Sequence, residues 1–251
     1  MKGWEPSDLA LVFVTCPRDP PYFAATLASA FLGDERIAKV ASITVAVDAD
    51  DLACVGALRG HGRVRWVPRT AEESARVAGF HVHHRGCHNY WRALTLAPED
   101  ARGVLICEDD LVFRDGWLRM LLECLDEMRA AGLERFILAP YSSYDHEQPP
   151  LRRGRYYSSY VASGFYGTQA MFYPPEEVSA LRKLLWTHGV ETPEAPYDLL
   201  IQRRTVEFQH LYGTRVSLVQ HTGERSTGLG DGRHRSPSFH RAWPGREEGF
   251  R

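Results

Sequence analysis

The chain has 251 residues, 44% hydrophobic, 25% charged and 11% aromatic, with a formal net charge of -2 at pH 7. That length encloses a full hydrophobic core without disulfide or metal staples, and it fits one α/β domain, or one domain with a tail. A near-balanced charge excludes the global attraction that drives binding to nucleic acid or an anionic membrane, and the early apolar run Leu9 to Val14 is too short to cross a bilayer and lacks the marks of a signal peptide.

Leu9 to Val14 is continuously apolar, the pattern of a strand buried on both faces. It runs into Thr15-Cys16-Pro17-Arg18-Asp19-Pro20-Pro21, where prolines bar a helix. A helix is expected from Tyr22 to Leu32, closed by Gly33. The strand Ile43 to Val47 stops at Asp48-Ala49-Asp50-Asp51, and the strand Val64 to Val67 stops at Pro68. Asn89 to Ala97 is helical in pattern; Phe80 to His88 before it reads as a loop and helix start. Gly103 to Cys107 is a strand that leads straight into Glu108-Asp109-Asp110. Trp117, Leu118, Leu121, Cys124, Leu125 and Met128 then recur at helical spacing, an amphipathic helix.

Phe136 to Ala139 is a further strand, and Pro140 to Arg155 a polar loop rich in tyrosine and proline. Gly167 to Tyr173 predicts a strand, Pro175 to Trp186 a helix, Tyr197 to His210 a helix, and Arg215 to Val219 a last strand. From Thr222 onward glycine, arginine, histidine and serine dominate. Strands alternating with helices predict an α/β fold with a mostly parallel sheet flanked by helices, whose ligands bind outside the carboxyl ends of the strands. Residues 1–227 are expected to form that domain, and 228–251 a disordered or lid-like tail. Five scattered cysteines without a CxxC pair read as reduced thiols of a cytoplasmic protein.

Three consecutive acids at a strand end repel one another unless a cation lies among them, and oxygen ligands of this kind suit Mg²⁺ or Mn²⁺. Alternation along an extended segment sets Glu108 and Asp110 on one side and Asp109 on the other. A triplet that only caps the next helix, or only meets solvent, explains the same residues. Asp48, Asp50 and Asp51 end a strand at the same predicted edge, and His221 follows the last one, ahead of Thr222-Gly223-Glu224-Arg225-Ser226-Thr227-Gly228. The hydroxyls and arginine of that segment suit phosphate contacts. Together these make Asp110 and His221 the expected metal ligands.

In this order of features the sequence resembles the nucleotide-sugar glycosyltransferases of the GT-A fold. The features are Thr15 after the first strand, Asp48 after the second, the DxD-type Glu108-Asp109-Asp110, the loop Ser163-Gly164-Phe165-Tyr166-Gly167-Thr168, Asp198 at a helix start and His221 after the last core strand. Glu108-Asp109-Asp110 with Gln220-His221-Thr222-Gly223 is similar to branching N-acetylglucosaminyltransferases. The triplet departs from the commonest pattern in starting with Glu rather than Asp.

The resemblance implies that Asp110 and His221 bind Mn²⁺ or Mg²⁺, which bridges the phosphates of a nucleoside-diphosphate sugar, with a UDP-sugar the expected donor. It implies that Glu108 approaches the ribose or reaches the metal through water, that Asp109 contacts the sugar, and that Thr15 and Asp48 meet the base and ribose. Asp198 is the implied base toward an acceptor hydroxyl, on a glycan, lipid, metabolite, protein or modified nucleic acid; an acid there also serves simply to cap a helix. Gly164 and Gly167 either admit a ligand close to the backbone or shape a turn.

Asn89 and Arg92 are further candidates for the nucleotide, as is Arg225 for phosphate. Tyr141, Tyr144, Tyr156, Tyr157 and Tyr160 are candidates to line an acceptor site. His84 and His88, four apart, share a helix face as zinc ligands do, but no further ligand follows at motif spacing. The tail carries Arg225, Arg233, His234, Arg235, His240, Arg241 and Arg246, which read as a solvated basic end or a phosphate-attracting one. There is no GxxxxGK[ST], no GxGxxG after the first strand and no GxSxG, so kinase, dehydrogenase and hydrolase readings lose their usual support. A metal-dependent nucleotidyltransferase or hydrolase on the same acidic edge, or a noncatalytic nucleotide- or carbohydrate-binding module, are the competing functions.

Overall fold

The computed structural model describes residues 2–19, 21–53, 62–141, 150–162, 167–207, 210–223, 235–236 and 238–239. Strand β1 (Leu9–Thr15) lies inside a nine-stranded sheet, with β2 (Ser42–Val47) and β4 (Gly103–Cys107) parallel on either side and β3 (Val64–Val67) parallel beyond β2. Past β4 come β9 (Ala170–Tyr173), β6 (Leu138–Ala139), β10 (His210–Thr214), β8 (Tyr157–Val161) and β7 (Arg152–Arg153). Only β9 and β8 run against the other strands of that sheet. The sheet is mixed and mostly parallel, as the alternating pattern predicts.

The apolar run of β1 is explained by two cores. Leu9, Leu11 and Phe13 point to the layer holding α1 (Phe23–Gly33) and α4 (Trp117–Ala130), while Ala10 and Val12 point to the layer of α3 (Val82–Leu96), α5 (Pro175–Leu185) and α6 (Tyr197–Glu207). A strand covered on both faces has no position for a polar residue until it leaves the sheet. Each buried Leu, Val or Phe contributes about 1.5–3 kcal/mol by leaving water. Polar chemistry is thereby confined to the strand ends.

Gly33 ends α1 for a packing reason. A Cβ there would lie 2.8 Å from the Arg114 carbonyl oxygen and 3.2 Å from the Trp117 ring, so α1 and the start of α4 approach more closely than any other residue allows. The Gly116 N–H donates to the Gly33 carbonyl at 2.6 Å, and Gly116 itself has φ 71, the left-handed region that favours glycine.

Several elements differ from expectation. Helix α3 begins at Val82 rather than Asn89, with His81 as its N-cap. Helix α2 (Ala71–Val77) was not anticipated, although Thr70 and Glu73 form a capping box: Thr70 Oγ1 accepts from the Glu73 N–H, and Glu73 accepts from the Thr70 N–H. Helix α6 stops at Glu207, and β10 takes His210–Thr214 because that segment pairs with β6 and β8. The last strand, β11 (Val219–His221), joins β5 (Leu111–Phe113) in a separate antiparallel ribbon in place of the strand expected at Arg215 to Val219.

Of the expected tail, Ser236 is buried, and its N–H donates to Gln220 Oε1 at 2.8 Å, while Ser238 Oγ accepts from the Ser217 N–H at 3.0 Å. The expected boundary at 227/228 lies outside the described residues. Cys16, Cys87, Cys107 and Cys124 are free thiols, and Cys54 lies outside the described residues. Among the described residues no helix is long and apolar enough to cross a membrane.

His88 on α3 is 0% exposed, and neither ring nitrogen has a hydrogen-bond partner among the described residues. Burial pushes its pKa down to about 4, with the nearby Arg92 charge acting in the same direction against the opposing Glu73. The imidazole is therefore neutral in the folded chain while the unfolded chain takes up a proton near pH 6.5. Stability contributed by this group is complete above pH 6.5 and is lost as pH falls toward 4, by about 3 kcal/mol at most. Urea denaturation from pH 7 to 4.5 should show this loss in the wild type and a flatter profile in His88→Gln; an equal slope in both would assign the acid sensitivity elsewhere.

Candidate active site at the carboxyl end of the sheet

Glu108, Asp109 and Asp110 fill the step between the end of β4 and the start of β5, and each finds different partners. Asp109 is 2% exposed and turns toward the loop after β1. Thr15 Oγ1 donates to it at 2.7 Å, the Cys16 N–H at 3.4 Å and Arg18 Nε at 3.3 Å, and Arg18 Nη2 pairs with its other oxygen. Thr26 Oγ1 donates to the Asp109 carbonyl at 2.7 Å and accepts from the Leu111 N–H at 2.9 Å, which fixes the backbone of the turn to α1.

Asp110 faces the other way. The β5–β11 ribbon sets His221 opposite Leu111, and His221 Nε2 lies 3.1 Å from Asp110 Oδ2. Thr222 donates to the Asp110 carbonyl through both its N–H, at 2.8 Å, and its hydroxyl, at 2.9 Å. Burial opposes the charge on both partners, but their mutual hydrogen bond and attraction prevail. The His221 pKa is raised and the Asp110 pKa lowered, with Arg18 adding to the Asp110 shift. At Gly223, a Cβ would lie 3.0 Å from Asp110 Cγ and 3.1 Å from His221 Nε2, and closer still to Asp110 Oδ2. Only glycine lets the chain pass this pair.

Glu108 sits between cluster and cavity. Tyr197 OH and Thr168 Oγ1 each donate to Glu108 Oε1 at 3.0 Å, and the Glu108 N–H donates to the Gln169 carbonyl at 2.8 Å. Burial, followed by the Asp110 charge, raises its pKa. Ligand atoms of Glu108, Asp110 and His221 all lie within 4.8 Å of one another, the one such group of three or more among the described residues. Asp110 Oδ1 is buried with no hydrogen-bond partner among them. Two carboxylates, one imidazole and an orphaned buried oxygen fit a divalent cation such as Mn²⁺ or Mg²⁺.

Beside the cluster opens a cavity of about 510 Å³, and Glu108, Asp109, Thr15, Asp48, Asn89 and Arg18 are among its walls. Asp48 ends β2, where Arg85 reaches it at 3.1 Å and Arg69 at 3.4 Å. Burial raises its pKa, with both arginines working against the shift. Asp50 is drawn off to Ser74 and Arg69, and Asp51 accepts from the Ala53 N–H. Arg18, Arg85 and Tyr197 did not stand out in the sequence, and Thr168 stood there only as the end of the loop Ser163 to Thr168. An arginine in the loop directly after the first strand was the one legible signal among them.

Arg92 has a different task from the nucleotide contact expected of it. Nε donates to Glu73 at 2.8 Å, Nη1 to the Val47 carbonyl and Asn89 Oδ1 at 3.1 Å each, and Nη2 to the Val67 and Pro68 carbonyls at 3.3 and 2.9 Å. Three donors close the ends of β2 and β3 and two hold the Glu73 and Asn89 side chains, which leaves none for a ligand. Tyr141, Tyr157 and Tyr160 are buried core side chains and Tyr156 packs against the core, so they do not form an exposed aromatic loop.

Gly167 has φ 78 beside the Gln169 side chain, the turn-shaping alternative. His84 Nε2 meets the Val190 carbonyl at 2.8 Å, and among the described residues the group of three metal-ligating side chains includes neither His84 nor His88. Asp198 heads α6, immediately after the cavity residues Pro196 and Tyr197; it is not itself among the lining residues and accepts from the Leu199 N–H at 2.9 Å. Tyr144, Gly164, Arg225, Arg233, His234, His240, Arg241 and Arg246 lie outside the described residues.

No protein-family model matches the chain, and no curated protein matches it significantly. Solved structures match its backbone. TarS 1–349 of S. aureus is 11% identical with a TM-score of 0.50, over 82% of this chain and 57% of that one. The longer S. aureus TarS structure is 10% identical with a TM-score of 0.50, over 82% of this chain and 34% of that one. The galactosyltransferase LgtC, in complex with donor and acceptor sugar analogs, is 14% identical with a TM-score of 0.48, over 78% of this chain and 70% of its own. The chain thus spans little more than half of the shorter TarS structure. The likeness is one of architecture, the GT-A fold.

The accounting of Arg92 is open to a direct check. In Arg92→Lys one ammonium replaces a five-donor fork and strands several buried acceptors, so stability to urea should fall by about 2–4 kcal/mol, while the site at β1 and β4 keeps its geometry. A variant as stable as wild type but deficient in nucleotide binding would restore the ligand role.

Proposed function

We propose that the chain is a metal-dependent glycosyltransferase that moves a sugar from a nucleoside-diphosphate sugar, with a UDP-sugar the expected form, to an acceptor hydroxyl. The observation that carries this reading is the convergence of Glu108, Asp110 and His221 beside the cavity, with Glu108 belonging to both. Glu108, Asp110 and His221 would hold a divalent cation, which would supply Lewis-acid stabilisation to a departing diphosphate. Thr15, at the end of β1, and Asp48, just after β2, line the cavity and would there meet the base and ribose. Arg18 and Arg85 in the same walls supply positive charge toward phosphate oxygens. Asp109, with four donors upon it, holds the loop after β1 against the cluster instead of contacting the sugar freely.

Asp198 is the proposed base. What supports this is its place at the head of α6, directly after Tyr197, whose hydroxyl donates to Glu108. There it takes the proton of the acceptor hydroxyl as that oxygen attacks the anomeric carbon, which inverts the centre.

Nucleotide sugars screened by thermal shift with and without Mn²⁺ should stabilise the chain most when ion and donor are present together, through ligand linkage. In Gly223→Ala the added methyl displaces Asp110 or His221, and Mn²⁺ affinity should fall roughly 10–100-fold with the fold retained. Stabilisation indifferent to Mn²⁺, or release of pyrophosphate instead of a nucleoside diphosphate on turnover, would overturn the assignment. For the base, Asp198→Asn should bind donor as wild type does and lose turnover by about 10²–10⁴-fold; undiminished turnover removes Asp198 from the mechanism.

A further inference from the structure

Arg18 divides its guanidinium between two carboxylates that face different ways. Nε and Nη2 grip Asp109 as a fork, while Nη1 reaches Asp110 Oδ2 at 3.0 Å. The same Asp110 oxygen meets His221 Nε2 at 3.1 Å. The fork is complete without Nη1, because Thr15 and Cys16 also donate to Asp109. Nη1 is thus the arm of Arg18 whose partner belongs to the cation donor set. The guanidinium carbon lies 5.2 Å from the centre of the Tyr22 ring, and the side chain is 15% exposed in the cavity wall.

We infer that Arg18 couples cation binding to diphosphate binding: Nη1 yields Asp110 to the cation and, with the fork still anchored on Asp109, passes to a phosphate oxygen of the nucleoside diphosphate. The inference rests on reading Glu108, Asp110 and His221 as a cation site. An Asp110 carboxylate that serves a divalent ion no longer accepts from Nη1, and a mostly buried guanidinium beside a divalent cation is disfavoured by like charge. An anion spanning the two relieves both. Phosphate matches the guanidinium edge, and a fork held at one side leaves Nη1 aimed without a large side-chain rearrangement. Each ligand therefore raises the affinity of the other, by the same factor in either direction.

The test is calorimetric titration of Mn²⁺ alone, of UDP alone, and of each in the presence of the other. It is made on wild type, Arg18→Gln, Arg18→Lys and His221→Ala. Wild type should bind UDP roughly tenfold more tightly with saturating Mn²⁺, the scale of one charge-assisted hydrogen bond. Arg18→Gln should bind Mn²⁺ alone more tightly and UDP with Mn²⁺ more weakly, each by roughly tenfold. A residue that only supports the fold does not move two affinities in opposite directions. Should the glutamine variant fail to fold, Arg18→Lys keeps a charge on Asp109 and should give the same opposed pair at smaller amplitude.

If the arginine variants weaken both affinities or change neither, while His221→Ala weakens Mn²⁺ binding, the coupling is overturned and the cation site stands. If wild type binds no Mn²⁺ with or without UDP, or His221→Ala binds it as wild type does, the cation site and the coupling fall together.

Discussion

A carboxylate withdrawn from water needs a positive charge or several hydrogen-bond donors, and β4 delivers three carboxylates in succession where it leaves the core. The architecture around that edge follows from meeting the demand. Asp109 draws in the loop after β1 through Thr15, Cys16 and Arg18. Asp110 draws in the β5–β11 ribbon through His221 and Thr222. Glu108 draws in the head of α6 through Tyr197 and the segment before β9 through Thr168. Three neighbouring residues thus collect four separate parts of the chain.

The pleat makes the division possible. Adjacent residues of an extended segment face opposite ways, so Asp109 meets the Arg18 fork while Glu108 and Asp110 meet each other and His221. Asp110 Oδ2 then carries two cationic neighbours while Oδ1 carries none. The unpartnered oxygen is the one that the proposed cation would take. Gly223 is required at this point because the backbone must clear the carboxylate and the imidazole together.

The buried strands were legible because their environment is uniform: β1, β2 and β4 are apolar on both faces, so nothing in their sequence competes with the pattern. The acids at their ends were legible for the same reason, as abrupt polarity after an apolar run. What escaped was structure held by distant pairing. Residues β10 and β11 are too short and polar to announce themselves, and take their form from β6, β8 and β5. The tyrosines of β8 look like loop residues until the core that encloses them is known. Arg92 looked like a ligand contact because an isolated arginine carries no sign of which carbonyls its donors will meet. The Thr70–Glu73 capping box was present in the letters and was passed over because the apolar pattern behind it is weak.

The separations within the acidic edge also bear on biosynthesis. Asp110 is 111 positions from His221 and 112 from Thr222, so its imidazole and hydroxyl partners leave the ribosome long after β4 has been made. Of the two cationic side chains that meet Asp110 in the folded chain, only Arg18 precedes it in the sequence. Closing so long a loop is entropically slow. Arrival of the β11 segment therefore supplies the imidazole and hydroxyl that complete the partners of Asp110 in the folded chain.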